Sequence, residues 1–197
     1  MQSQAISDLQ QAIYSKLSTW IPEKLRSLKI QSPTYCLFIW YQDLSVDELT
    51  PIIATAPVEM RDACFAREHR SNLGDEPRKA IWTPQQSISA PFPGWESFKD
   101  FPCDVVAQDV DALYRLLSAH LTRPPEDEME LLMPVRTVLS RVAQDLNQVD
   151  WSGILPCSED FVVLATDYIG AWLVEDMSAS IPKPALLKLK KKKLLPK

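Results

Sequence analysis

Glycine and histidine are scarce in this chain of 197 residues, and their scarcity excludes several familiar classes of enzyme. Of the four glycines, no two lie within 15 residues of each other, so neither the G-x-G-x-x-G loop nor the P-loop, which cradle nucleotide phosphates, is present. The two histidines, His69 and His120, are too far apart for a metal-binding pair on one helix. We therefore expect no cofactor-binding residues and no metal-binding residues.

Long apolar runs are absent as well. The longest uncharged apolar run, 35–41, has seven residues, whereas a membrane-spanning helix needs about 20. The first 11 residues include Asp8 and no Lys or Arg, which is not the pattern of a secretory signal. The sequence therefore predicts a cytoplasmic protein with no membrane span.

The cysteines agree with that compartment. Their separations are 28, 39 and 54 positions, and no C-x-x-C pair occurs. Disulfide frameworks and zinc sites usually show closer and more regular spacing, so we expect reduced and mostly buried thiols. The residues concerned are Cys36, Cys64, Cys103 and Cys157.

Most of the chain shows a helical pattern. Apolar residues between Ile6 and Trp20 recur every three or four positions, which predicts a helix over 4–20. Pro22 suits the first turn of a helix, so we predict a second, short helix that ends at Leu28. The remaining predicted helices are 58–68, a helix capped by Asp104 or Asp109 that ends near 120, 131–146 and 172–180.

Two short apolar segments predict buried strands. Residues 34–41, rich in aromatic and branched side chains, are the predicted central strand, and residues 161–166 are the second. Residues 51–55 are predicted to pair with the central strand in the antiparallel sense. Ser45 and Glu48 leave a helix open as the alternative there, because they fit a capping box.

The order of these elements predicts an α+β fold. We expect a single domain over 1–182, with a small and mainly antiparallel sheet covered by helices on one face. Five prolines between residues 71 and 104 predict an irregular surface excursion around one short strand at 79–83. Residues 183–197, with seven lysines and no acidic residue, are the predicted C-terminal extension.

Taken together, these segments resemble a known family. The N-terminal helix, the aromatic strand at 35–41, the Ile-Trp-Thr-Pro strand end at 81–84 with its acid-bearing loop, and residues 161–167 look like the bacterial domain-of-unknown-function 4303 family over about residues 4–190. Its members are small cytoplasmic proteins, and the gene neighbourhoods of some suggest a role beside toxin or contact-dependent systems. The resemblance implies a fold rather than an activity, and it assigns no functional residues.

Acidic side chains are the main candidates for catalysis. Two carboxylates held several ångströms apart in a cleft can hydrolyse glycosidic or phosphoryl bonds, so a hydrolase-like enzyme using Asp160 and Asp167 is one alternative. Asp167 stands out because it follows a buried strand, although an aspartate that starts a turn is commonly structural. His69 and His120 are predicted at helix C-termini, where they interact favourably with the helix dipole.

The tryptophans divide into two groups. Trp20 and Trp40 fall on periodic apolar faces and are predicted core residues. Trp82, Trp95 and Trp151 lie beside turns, where a partly exposed indole could anchor a partner or cover the end of the sheet. The segment 91–98, which contains Trp95, is the predicted contact loop, because large aromatic residues dominate the energetics of protein interfaces.

The net charge of -5 conceals an uneven distribution. Residues 1–182 hold 14 basic and 26 acidic side chains, a net charge of -12, whereas residues 183–197 contribute +7. An acidic surface attracts a cationic partner, so our leading hypothesis is a non-enzymatic protein-binding domain, such as an immunity-like partner of a basic toxin. The predicted contact residues are Trp95, Glu126, Asp127, Glu128 and Glu130.

The lysine-rich terminus has two interpretations. In the first, it is the end of a helix, with Leu186, Leu187 and Leu189 packed and the lysines in solvent. In the second, the chain binds nucleic acid or another anionic surface through its last lysines, and salt would weaken these contacts. The lysines concerned are Lys190, Lys191, Lys192 and Lys193. The sequence leaves the oligomeric state open.

Overall fold

The computed structural model describes residues 2–41, 50–68, 76–84, 99–119 and 128–196. In this part of the chain, seven α-helices and one four-stranded sheet form an α+β fold, as predicted. The helices are α1 (Gln2–Leu28), α2 (Val58–Glu68), α3 (Glu76–Ala80), α4 (Ala107–Ser118), α5 (Glu128–Leu146), α6 (Leu173–Ser180) and α7 (Lys183–Lys191). The strands are β1 (Thr34–Tyr41), β2 (Ile52–Pro57), β3 (Lys99–Pro102) and β4 (Cys157–Asp167).

The sheet is mixed, with the strand order β3-β2-β1-β4. Strand β1 pairs with β2 in the antiparallel sense, so that Ile39 lies opposite Ile53, and β2 pairs with β3 in the same sense. Strand β1 pairs with β4 in the parallel sense, which places Trp40 opposite Thr166. A parallel pair requires a long connection, and most of the fold lies between these two strands in the chain.

Helices cover both faces of the sheet, so the prediction of a single covered face is wrong. Alternate residues of β1 explain this: Leu37 and Ile39 belong to a core formed with α1, α4 and α5, whereas Phe38 and Trp40 belong to a second core with α2, α6 and α7. A strand buried on both faces is apolar throughout, as the aromatic run of β1 is.

The N-terminal helix is continuous through Pro22, although the sequence predicts a break there. An interior proline costs about 3 kcal/mol because it removes a backbone hydrogen bond and crowds the preceding turn. The apolar stripe Ile13, Leu17, Ile21 and Leu25 crosses that position, and all four side chains are completely buried. Burying such side chains contributes about 1.5–3 kcal/mol each, which exceeds the cost of the proline.

The segment 79–83 is not a strand. It is the end of α3 and a turn, in which the backbone N–H of Trp82 donates to the carbonyl of Lys79 at 2.9 Å. The backbone of this segment is therefore hydrogen-bonded within the turn and not to a neighbouring strand. The predicted cap of α4 is also wrong: its N-cap is Val106, which makes no side-chain cap bond, and Asp109 instead contacts Lys16 at 2.6 Å.

Candidate functional site

Asp167, the leading catalytic candidate, holds a turn of its own chain. Its side chain is completely buried at the end of β4. One carboxylate oxygen accepts the N–H groups of Ile169 and Ala171 at 3.0 Å each, and the other accepts the N–H of Trp172 at 3.1 Å. The carboxylate thus stabilises the turn that leads into α6. This is the structural role that is common for an aspartate at the start of a turn.

The turn also depends on Gly170. Its φ of +73° lies in the left-handed region, which L-residues rarely adopt. A Cβ at this position would lie 2.9 Å from the Oγ1 of Thr83, and Thr83 itself is buried. Asp167 and Gly170 therefore form one packed corner at the carboxyl end of β4.

Asp160 is separated from Asp167. The two residues lie seven positions apart on β4, which corresponds to about 23 Å along a strand. Carboxylate pairs in glycosidases lie about 5–10 Å apart, so the structure does not bring these two residues into one site. Asp160 instead forms an ion pair with Arg61 of α2, which is only partly exposed.

A third buried acid, Asp176, pairs with a basic residue that the sequence did not single out. The Oδ1 of Asp176 accepts a hydrogen bond from the Nε of Arg136 at 2.7 Å, and the guanidinium lies 5.0 Å from the ring centre of Trp172. Burial raises the pKa of the Asp176 carboxyl, and Arg136 opposes this rise. The pair joins α5 to α6. Only the fold reveals it, because the two residues are 40 positions apart.

None of the four cysteines forms a disulfide with another, and most of them are buried, as predicted. Cys36, Cys64 and Cys103 are buried, whereas Cys157 at the start of β4 is exposed. Although Cys157 is exposed as a residue, partial burial of its thiol raises the pKa to about 12, so the thiol is protonated at neutral pH and is a poor nucleophile. Among the residues that the structure describes, no three His, Cys, Asp or Glu side chains are grouped so that they could hold a metal ion.

The predicted acidic partner surface lies largely outside the described residues. Trp95, Glu126 and Asp127 are among the residues that are not described, as are His69, His120, the contact loop 91–98 and the alternative cap near Ser45. Glu128 and Glu130 begin α5, and only their backbone is described.

Two tryptophans predicted to be partly exposed are buried instead. Trp82 is 1% exposed, and its indole N–H donates to the carbonyl of Leu194 at 2.8 Å. Trp151 is 6% exposed and donates to the carbonyl of Leu146 at 3.0 Å. The prediction of exposure was wrong because a position beside a turn does not determine where the side chain points, and both indoles point inward. Trp40 is buried as predicted, and Trp20 is partly buried against the first core.

The periodicity of α7 divides the terminal lysines into two sets. Lys188 and Lys192, one turn apart, face β4, where both form ion pairs with Glu159 at 3.2 and 3.1 Å. Together with Leu189, which is 1% exposed, they bind the helix to the sheet. These contacts lower the pKa of Glu159. One residue of the predicted nucleic-acid cluster, Lys192, is therefore already paired within the chain.

The second set faces α6 and lines a groove. Lys183, Leu186, Leu187 and Lys190 follow one another at helical spacing, and Val174, Met177 and Ser178 face them from α6. The groove has a volume of about 300 Å³, and Leu195 and Pro196 also line it. Leu187, which the packed-helix interpretation placed in the core, is 52% exposed here. The spacing of α7 was the sequence signal for this groove.

A second, more polar groove lies near the starts of β1 and β4. It has a volume of about 920 Å³, and Arg26, Lys29, Asp150, Trp151 and Cys157 are among its lining residues. Asp150 accepts the backbone N–H of Ser152 at 2.9 Å, and the Cys157 thiol is protonated. The groove therefore presents no activated nucleophile among these residues.

Comparisons with known proteins returned no family model, no curated protein and no solved structure that matches this chain, and the resemblance stated above stays a prediction. None of the described helices is both long and apolar enough to span a membrane.

Proposed function

We propose that this chain is a non-enzymatic protein-binding domain. The observation that supports the proposal best is the position of its exposed apolar side chains. Val174 is 67% exposed and Leu187 is 52% exposed, and they line the same groove, one from α6 and one from α7. Adjoining exposed apolar residues with a polar rim are typical of a surface that binds another protein.

The acidic residues support the same proposal through their structural roles. Asp160 joins β4 to α2 through Arg61, Asp176 joins α6 to α5 through Arg136, and Asp167 closes the turn between β4 and α6. These contacts give each of the three carboxylates a structural role.

A cationic partner, such as a basic toxin bound in the manner of an immunity protein, is one proposal for what the domain binds. Its basis is the charge of residues 1–182, which is -12 and would accelerate encounter with a basic protein. The contacts proposed for it are Trp95 and the acidic residues Glu126, Asp127, Glu128 and Glu130.

The test is recovery of a partner by the immobilised full chain from extracts of the host cell, followed by reconstitution with the purified partner. We expect one protein to bind at a constant ratio. For the cationic partner, reversal of Glu126, Asp127 and Glu128 to lysine should abolish binding. The matched control replaces three exposed acidic residues elsewhere, Asp8, Glu23 and Glu59, with lysine. Its net charge equals that of the first triple variant.

Loss of binding in the first triple variant alone supports the acidic contacts. Equal binding by both variants excludes them and leaves the proposed function in place. Failure to recover any protein that reconstitutes with the purified chain contradicts the proposed function itself.

A further inference from the structure

The groove between α6 and α7, hereafter the α6–α7 groove, has an apolar floor and a basic rim. Met177, Leu186 and Leu195 contribute to the floor, and Lys183 and Lys190 stand at the rim two helical turns apart. Both lysines are exposed, and neither forms an ion pair with any other described residue. No acidic side chain of the described chain lines this groove.

The basic character continues beyond one end. A further groove of about 330 Å³ is lined by Arg78, Lys190, Lys193, Leu195 and Pro196, three of which also line the α6–α7 groove. The carbonyl of Lys193 accepts a hydrogen bond from the Nε of Arg78 at 3.0 Å, which fixes the C-terminal segment beside α3. Three cationic side chains thus converge where the apolar floor ends.

We propose that the α6–α7 groove binds an acidic amphipathic helix of a protein partner. Apolar side chains of that helix would pack on the floor, and its carboxylates would pair with Lys183 and Lys190. A carboxylate at its end would reach the groove that contains Arg78 and Lys193. The inference rests on the proposed function as a protein-binding domain, and it adds the chemistry of the segment that is bound.

The shape and charge of the site favour this occupant. A groove between two helices accommodates a third helix, whose apolar residues at i, i+3, i+4 and i+7 match the length of about 10 Å between Lys183 and Lys190. A nucleic acid would place phosphates against a floor of Leu and Met side chains, which offers them no hydrogen bonds. A bilayer surface would contact the exposed side chains of Val174 and Leu187, but it would leave out Met177, which is only 4% exposed within the groove.

The pairing of Lys188 and Lys192 with Glu159 makes the site specific. Because these two lysines are engaged on the opposite side of α7, Lys183 and Lys190 are the lysines of the helix that line the groove, whereas Lys191 lies outside it. A bound acidic segment therefore meets Lys183 and Lys190 without breaking an ion pair within the described chain.

The test uses the full chain and a synthetic 14-residue helical peptide with leucines at i, i+3 and i+7 and glutamates on both flanks, with binding followed by fluorescence anisotropy. A peptide with lysine in place of every glutamate is the charge control, and a peptide of the same composition in scrambled order is the pattern control. We expect measurable binding of the first peptide alone, weakened at least 10-fold by Lys190→Glu and by Leu187→Asp.

Lys191→Glu is the matched control, because Lys191 is exposed on the same helix and does not line the groove. It should leave the affinity within about twofold of wild type. Circular dichroism of all three variants separates loss of the site from loss of the fold. Equal effects of Lys190→Glu and Lys191→Glu, or binding of the scrambled peptide, overturn the proposal.

Two parallel measurements replace the peptide with a 20-base-pair DNA duplex and with vesicles of anionic phospholipid. Binding of either one through Lys190, in the absence of peptide binding, also overturns the proposal. A partner recovered as described above that tolerates Leu187→Asp and Lys190→Glu would refute this inference and leave the proposed function intact.

Discussion

Asn147 takes the place of a neighbouring strand beside Val163. Its Oδ1 accepts a hydrogen bond from the backbone N–H of Val163 at 2.9 Å, and its Nδ2 donates to the Val163 carbonyl at 2.8 Å. Among the strands that the structure describes, β4 lies at an edge of the sheet, and the outward backbone groups of an edge strand are otherwise open to pairing with another chain. The Oγ of Ser180 likewise accepts a hydrogen bond from the backbone N–H of Ala165 at 3.2 Å and donates one to the Ala165 carbonyl at 3.3 Å. Side chains at the ends of α5 and α6 therefore close this edge of the sheet.

Asn147→Ala should lower the free energy of unfolding by about 1–3 kcal/mol, because it leaves the buried polar groups of Val163 without a partner. Urea denaturation followed by circular dichroism measures the change. The neighbouring exposed residue provides the control, and Gln148→Ala should change stability by less than about 0.5 kcal/mol. Equal stability of the two variants would show that the Asn147 amide is not needed at the edge.

Asp167→Asn should destabilise the fold by about 2–3 kcal/mol. An asparagine has only one acceptor oxygen, and its NH2 group would face an N–H donor where the carboxylate now accepts one. Urea denaturation is again the measurement. Asp150→Asn is the control, since Asp150 is exposed and accepts hydrogen bonds from the neighbouring Ser152, and it should change the stability much less than Asp167→Asn does. The prediction fails if Asp167→Asn is as stable as wild type.

Trp82→Phe should weaken the attachment of the C-terminal segment. The variant loses the hydrogen bond from the Trp82 indole to the carbonyl of Leu194 and part of the buried ring, at a cost of about 1–3 kcal/mol in the free energy of unfolding. Hydrogen exchange at residues 189–195 should accelerate more than exchange in α1. Trp20→Phe, which changes a partly buried tryptophan at the first core, should leave exchange at 189–195 unchanged. Unaltered exchange there in Trp82→Phe would refute the role of the hydrogen bond.

The Asp176 carboxyl should make the protein less stable as the pH rises. Because burial raises its pKa in the folded state, the folded protein binds this proton more tightly than the unfolded chain does. Between the ordinary pKa of 3.8 and the raised value, the free energy of unfolding contributed by Asp176 therefore falls with increasing pH. Asp176→Asn removes that contribution, so the stability of the variant relative to wild type should increase with pH across this interval.

Urea denaturation of both proteins at several pH values across this interval measures the trend. Glu175→Gln is the control, because Glu175 is the exposed neighbour of Asp176 on the same helix. Its stability relative to wild type should show no such increase. A difference between Asp176→Asn and wild type that does not vary with pH contradicts the proposed protonation behaviour.

Local pattern was sufficient for most of the individual elements. Strand β2, the helix that follows it, and α5 with its buried residues Val135, Leu139 and Val142 agree with the sequence predictions. The two helices repeat their apolar residues with one period, which reflects the single face that each buries, whereas β2 is a short apolar segment that is buried on both faces. The short strand expected at 79–83 shows the limit, because three apolar residues in a row have no period that distinguishes a strand from a turn.

The candidate site was less accessible to prediction. The acidic residues were visible in the sequence, but their partners Arg61 and Arg136 lie 99 and 40 positions away from Asp160 and Asp176. Nothing local indicates such pairs, because they form only when distant elements pack together. For the same reason the sequence indicated only one wall of the α6–α7 groove, through the spacing of α7, and not the residues of α6 and of the C-terminal segment that complete its lining.

By itself, the sequence determined the secondary structure of most segments, the α+β class and the contrast between an acidic body and a basic terminus, because composition and periodicity are properties of neighbouring residues. Only the tertiary structure decided that β1 and β4 run parallel and that helices cover both faces of the sheet. It also decided which lysines of α7 are paired with Glu159 and which face the groove. These outcomes depend on which distant segments meet, and that depends on how all the apolar faces are buried together.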